Sequence, residues 1–186
     1  MPLKRWTKIS EETLFTNKWW KYRRDEFLLP DGKQGEYHYV HTNGASLIIP
    51  VLDDGKILMV QQYRYLNERE SLEFPCGGVK DGNTYEETAN FELREETGFS
   101  TKQMQLVGSF NPYNGVTDEI CRIYIATSLE PVESQPDETE EFEKHAFFPH
   151  EIDDLIIKNI IWDGMTLAAW TLAKFRLQGK RCLRYS

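Results

Sequence analysis

The chain has little of what marks secreted, membrane-spanning or nucleic-acid-binding proteins. Its three cysteines are odd in number and lack zinc-ligand spacing, which predicts a reducing cytoplasm instead of a disulfide framework. No apolar run is long enough to cross a bilayer, and the N-terminus MPLKRWTKIS lacks the apolar core of a secretory signal. Basic residues are outnumbered, and the net charge of -8 argues against nucleic acid or an anionic membrane surface as the main partner.

What the chain does contain predicts one sizeable packed core, since 40% of its residues are hydrophobic and 13% aromatic. Strand-like segments Trp19–Leu29 and Glu36–His41 flank a Pro-Asp-Gly turn, which predicts a hairpin in a small β subdomain, residues 1–43. Residues 44–186 are expected to form the main domain. Its predicted elements are a buried hairpin joining Ala45–Leu52 to Lys56–Tyr65, strands at Gln105–Phe110, Cys121–Thr127 and His145–Pro149, an acidic loop at Pro131–Glu143, and helices near Glu151–Lys158 and Gly164–Gln178.

A glutamate-rich stretch between two glycine turns gives the strongest chemical signal. A helix predicted over Thr84–Thr97 places Glu92, Glu95 and Glu96 on one face, because positions i, i+3 and i+4 of a helix are neighbours. Three carboxylates there repel one another unless a cation lies among them. The alternative is a solvated acidic helix. The expected ends of the helix are Asn83 as N-cap, with Glu86 as its capping-box partner, and Gly98 as the stop.

Residues 77–99 resemble the Nudix box, the signature of hydrolases that cleave nucleoside diphosphates linked to another group. The family pattern is Gly, five residues, Glu, seven residues, then Arg-Glu-aliphatic-any-Glu-Glu-any-Gly-aliphatic. Two positions depart from it: Asn83 stands at the first glutamate, and Phe91 stands at the arginine. The matching residues are Gly77, Glu92, Leu93, Glu95, Glu96, Gly98 and, in place of an aliphatic residue, Phe99.

The flanks are similar to the ADP-ribose pyrophosphatase branch of that family, and the resemblance spans about residues 19–175. It rests on Val60–Tyr65, Glu73–Gly78, Phe110–Glu119 and the acidic residues 137–141. The resemblance implies an α/β/α Nudix sandwich with a mixed sheet and a small N-terminal β subdomain. It also implies a homodimer in which that subdomain reaches the partner's site.

The same resemblance implies the residues that do the chemistry. Glu92 and Glu96 are expected as the main metal ligands, Glu95 shares a second ion in catalysis, and the backbone carbonyl of Cys76 is a further ligand. Mg²⁺ is the expected ion, with Mn²⁺ an alternative, because hard oxygen ligands and phosphates suit both. The general base is expected on the acidic loop, at Glu138 or else Glu140.

Substrate contacts are expected from Arg64, Trp20, Tyr22 and Gly77. The Arg64 guanidinium is a candidate phosphate or ribose clamp, and the alternative is an exposed arginine at a strand end. Trp20 and Tyr22 are candidates for stacking on a base, and packing within the β subdomain is the alternative.

The expected function is hydrolysis of ADP-ribose or a related nucleoside diphosphate sugar into two monophosphates. Phe91 cannot form the ion pair that the box arginine makes, and losing such a supporting partner typically costs about 10- to 100-fold in metal affinity or activity. We therefore expect a working but slowed enzyme. The alternatives are a hydrolase of another nucleotide sugar, such as GDP-mannose, and a non-catalytic nucleotide-sugar binding module.

Overall fold

The computed structural model describes residues 3–133 and 141–177. By its internal contacts the chain divides into two compact units. The first contains the chain up to Asn43 together with Asn111–Ile120, and the second contains Gly44–Phe110 and the chain from Cys121 onward. The domain boundary after residue 43 remains a proposal, to which this division adds the segment Asn111–Ile120.

The first unit is built on a three-stranded antiparallel sheet in the order β1-β2-β3, formed by Thr7–Thr16, Lys21–Leu28 and Gln34–His41. The predicted hairpin is present between β2 and β3, where Gly32 adopts a positive φ of 86° that favours glycine. β1 was not predicted, and every residue of it is exposed. The segment Asn111–Ile120 is tied to β3 by a hydrogen bond from the Val40 N–H to the Val116 carbonyl, 2.9 Å.

In its described residues, the second unit combines three sheets with three helices. Its sheets have the orders β7-β4-β10-β9, β12-β5-β6 and β11-β8. β4 and β10 are parallel and the remaining pairs are antiparallel, so the predicted mixed sheet is confirmed. The elements are β4 Ala45–Pro50, β5 Ile57–Arg64, β6 Arg69–Glu73, β7 Cys76–Gly78, α1 Tyr85–Thr97, β8 Phe99–Ser100, β9 Gln103–Phe110, β10 Cys121–Thr127, β11 Glu130–Pro131, β12 Glu143–Phe147, α2 Pro149–Ile157 and α3 Gly164–Leu177.

The central strand β4 is buried along its whole length because side chains on both of its faces are covered. Leu47 and Ile49 belong to a core that includes Phe74 and Trp170, whereas Ile48 packs in a second core against α1. Helices therefore cover both sides of the sheet, and the predicted α/β/α sandwich is confirmed. Within the described ranges, no helix has both the length and the apolar character needed to span a bilayer.

Candidate functional site

The helix α1 begins one residue later than predicted. Thr84 is its N-cap: the Thr84 hydroxyl accepts a hydrogen bond from the Glu87 N–H at 3.2 Å, and the Glu87 carboxylate accepts one from the Thr84 N–H at 2.8 Å. The prediction that Asn83 is the cap was wrong, because the Asn83 N–H closes a turn onto the Lys80 carbonyl, 3.1 Å, ahead of the helix. The predicted stop is confirmed, since Gly98 ends α1 with a φ of 72°.

Packing of α1 sets the direction of its glutamates. Ala89 and Leu93 are fully buried in the core shared with Ile48, which fixes the rotation of the helix about its axis. Glu96, three residues after Leu93, is drawn into the protein and is only 4% exposed. Glu92 lies one turn before it and is half-buried. A buried carboxylate is costly to hold as an anion, so a bound cation would stabilise it.

The strand β7 lies directly against this face of α1. A Cβ placed on Gly77 would overlap the carboxylate of Glu92, so only glycine fits there while Glu92 keeps this position. The neighbouring thiol of Cys76 has its pKa raised by its contact with the Cys121 thiol, by burial, and by the negative charges of Cys121, Glu96 and Glu92. The structure thus brings Cys76, Gly77, Glu92 and Glu96 together.

These residues fit a hard divalent cation of the Mg²⁺ type. Within residues 3–133 and 141–177, no three His, Cys, Asp or Glu side chains converge closely enough to hold a metal by themselves. Mg²⁺ does not require such a cage, because it is commonly bound by one or two carboxylates together with waters and substrate phosphates. The cradle formed by Gly77 around the Glu92 carboxylate, with buried Glu96 one turn on, supplies that smaller set. The expected bases Glu138 and Glu140 lie outside the described residues.

Arg64 is held by a partner that sequence reasoning missed. Its Nε donates to Glu73 Oε1 at 2.8 Å and its NH2 group donates to Glu73 Oε2, so the pair is bidentate. The Glu73 side chain is only 4% exposed, and this partner raises the pKa of Arg64. Arg64 is thus the last residue of β5 and 44% exposed, as the alternative expected, but its guanidinium is held in an ion pair. Its role as a phosphate or ribose clamp stays a prediction.

Trp20 and Tyr22 belong to the first unit, and both make ring contacts within it. The Trp20 ring lies 5.7 Å from that of Phe15. The Tyr22 hydroxyl is 3.0 Å from Nδ1 of His38, and the two rings stack at 5.6 Å. These contacts match the packing alternative, while Trp20 remains 38% and Tyr22 36% exposed. Their contact with a substrate base stays a prediction.

Two cavities of the second unit border the candidate site residues and the strands around them. A small one of about 150 Å³ adjoins the carboxylates and is lined by both departures from the box, Asn83 and Phe91. A larger one of about 620 Å³ lies on the sheet β12-β5-β6, and its lining residues are Gln61, Gln62, Tyr63, Tyr65, Glu70, Glu141, Phe142 and Glu143. The smaller cavity is lined by two of the box glutamates, Glu92 and Glu95, and the larger one by none of the three.

Comparison with known proteins agrees with this geometry. The NUDIX domain family matches residues 40–162, and the nucleoside diphosphate sugar hydrolase N-terminal domain matches residues 6–40. An ADP-ribose pyrophosphatase of Bacillus subtilis is 35% identical over 68% of this chain and 69% of its own length. One from Mycobacterium tuberculosis is 37% identical over 67% of this chain and 60% of its own length. A methanol dehydrogenase activator of Bacillus methanolicus is 35% identical over 68% of each chain.

A crystal structure of an ADP compounds hydrolase has the same fold, with a TM-score of 0.82, 22% identity, and coverage of 97% of this chain and 100% of that one. The family match covers well over half of the chain, including the whole of α1 and β7. The carboxylate helix, the glycine cradle and these matches lead to one conclusion: the chain belongs to the NUDIX family.

Proposed function

We propose that this protein hydrolyses the diphosphate linkage of ADP-ribose or a related nucleoside diphosphate sugar, giving two monophosphates, with Mg²⁺ as the ion. The observation that carries the proposal is the contact of the Glu92 carboxylate with Gly77, one turn from buried Glu96. Relatives named ADP-ribose pyrophosphatase support the substrate class.

In this proposal Glu92, Glu96 and the Cys76 backbone carbonyl hold the ion, and Glu95 shares a second one. When bound, the ion neutralises phosphate oxygens and acidifies a water molecule. The Glu92 carboxylate occupies the space that a side chain at Gly77 would fill, and Glu96 lies on the buried face of α1. Arg64, oriented by Glu73, binds a phosphate or ribose oxygen through the guanidinium N–H groups that Glu73 does not engage. Glu138, or else Glu140, takes the proton from the attacking water.

The assembly and location that we propose are a cytoplasmic homodimer. In it the first unit supplies Trp20 and Tyr22 to bind the base of the substrate. The match of residues 6–40 to a nucleoside diphosphate sugar hydrolase N-terminal domain supports a substrate-related role for this unit.

The decisive experiment follows AMP release from ADP-ribose by the purified protein at increasing Mg²⁺ concentration. Glu92→Gln and Glu96→Gln are the test variants, and Glu86→Gln is the matched control, because Glu86 is an exposed glutamate on the same helix. We expect turnover that both test variants abolish and the control retains. Metal-dependent binding of ADP-ribose and of GDP-mannose without any turnover would instead establish the non-catalytic binding module.

A further inference from the structure

The two departures from the Nudix pattern meet in one place. Asn83 and Phe91 are both in the lining of the cavity of about 150 Å³ beside the carboxylates, which we name the box pocket. The family pattern has a glutamate and an arginine at these two positions, and this chain has neither charge there. The box pocket is lined by Gly78, Lys80, Asn83, Thr88, Phe91, Glu92 and Glu95.

Among these described lining residues, Lys80 alone carries a positive charge. Lys80 lines this pocket together with the acidic residues Glu92 and Glu95 and with Asn83. The exposed ring of Phe91 forms another wall and offers no hydrogen bond. Two like charges on adjacent turns of a helix repel each other, so a nearby ammonium lowers the cost of holding both ionised.

The backbone around Lys80 is fixed although its side chain is exposed. The Val79 N–H donates to the Gly44 carbonyl at 2.9 Å, and the Lys80 carbonyl accepts from the Asn83 N–H at 3.1 Å. The short connection between β7 and α1 is therefore tied on both sides of this residue. The backbone of Lys80 therefore has a defined position beside the box pocket. Its long flexible side chain lets the ammonium reach the carboxylates.

We propose that Lys80 is a positioning residue that replaces the missing box arginine, supplying its positive charge from the loop instead of from the helix. Its ammonium offsets the repulsion between Glu95 and Glu92, which keeps Glu92 against Gly77 in the orientation that a metal ion requires. This inference rests on the metal site of the proposed function, but not on turnover of ADP-ribose.

The test compares Lys80→Met, Lys80→Arg and the matched control Lys102→Met, an exposed lysine outside the box pocket. Mn²⁺ binding, followed by electron paramagnetic resonance without substrate, is the primary readout. We expect Lys80→Met to weaken Mn²⁺ binding about 10-fold, within the range for supporting partners of metal ligands. The Mn²⁺ affinity of Lys80→Arg and of the control should stay within about twofold of the wild-type value. Unchanged or tighter Mn²⁺ binding by Lys80→Met would overturn the proposal, because a lysine that merely repels the ion gives that result.

A second arm restores the family pair. In the background Asn83→Glu with Phe91→Arg, the charge is again supplied from the helix, so Lys80→Met should weaken Mn²⁺ binding by less than about twofold. The same loss in both backgrounds would contradict the replacement role. Suppose that the wild-type protein does not turn over ADP-ribose but Lys80→Met weakens Mn²⁺ binding as expected. The proposed function then fails, and the role of Lys80 stands.

Discussion

The carboxylate of Glu92 occupies the space that a side chain at Gly77 would need. This relationship joins the strand β7 to the helix α1 at the point where the candidate metal ligands meet. It also explains in steric terms why glycine stands at the first position of the box.

Gly77→Ala is expected to displace Glu92 and lower both metal affinity and ADP-ribose turnover about 10- to 100-fold. The new methyl group would overlap the carboxylate, and the backbone of β7 cannot retreat easily because it pairs with buried β4. Gly78→Ala is a matched control, since a Cβ there meets nothing within 4 Å. Equal effects of the two substitutions on Mn²⁺ binding would show that the contact with Glu92 is not what matters.

Thr84→Ala is expected to reduce the free energy of unfolding by about 0.5–2 kcal/mol, the usual range for losing an N-cap side chain. Asn83→Ala should cost clearly less, because Thr84 and not Asn83 caps the helix. Urea unfolding followed by tryptophan fluorescence measures both. A larger loss of unfolding free energy for Asn83→Ala than for Thr84→Ala would show that Asn83 is the N-cap, as the sequence suggested.

The same cap predicts a pH dependence of stability. Hydrogen bonds from the backbone and side chain of Thr84 lower the pKa of Glu87 in the folded protein. A group with a lowered folded pKa contributes stability above its unfolded pKa of about 4.3, and this contribution disappears as the pH falls through the folded value. The stability difference between wild type and Glu87→Gln should therefore shrink below about pH 4. A difference that stays constant from neutral pH to pH 3 would contradict this assignment.

Glu73→Gln is expected to lower the free energy of unfolding by about 1–3 kcal/mol, because the charged, bidentate pairing of Arg64 with the buried carboxylate of Glu73 is lost. It should also reduce kcat/KM for ADP-ribose if Arg64 binds a phosphate or ribose oxygen. Glu68→Gln is the control, since Glu68 is an exposed glutamate in the turn before β6. Unchanged unfolding for Glu73→Gln would show that the ion pair adds nothing to stability.

The sequence was most informative where local chemistry decides the structure. Apolar spacing and the glycine stop predicted α1 to within one residue at its start, and the Pro-Asp-Gly turn predicted the hairpin of β2 and β3. The cap was misplaced because Asn83 with Glu86 and Thr84 with Glu87 both fit a capping box. The structure distinguishes them by the hydrogen bonds between Thr84 and Glu87 and by the turn that the Asn83 N–H forms.

Contacts that depend on pairing between strands could not be predicted from the sequence. β6 was not predicted, so the hairpin register that places Val60 opposite Glu73 was unknown, and with it the pairing of Arg64 with Glu73. β1 was missed because all of its residues are exposed and it has no buried face to reveal its period. The meeting of Lys80, Asn83 and Phe91 in one pocket likewise depends on how the loop folds back on α1.

The segment Asn111–Ile120 follows β9 and precedes β10, yet it belongs to the first unit, where it bonds to β3. The chain consequently passes between the two units three times, after Asn43, after Phe110 and after Ile120. The first unit is thus not one continuous segment that recombination or truncation can remove as a whole. Deleting residues 1–43 would leave ten residues of that unit in the remaining chain, and the Val116 carbonyl would lose its hydrogen bond from the Val40 N–H.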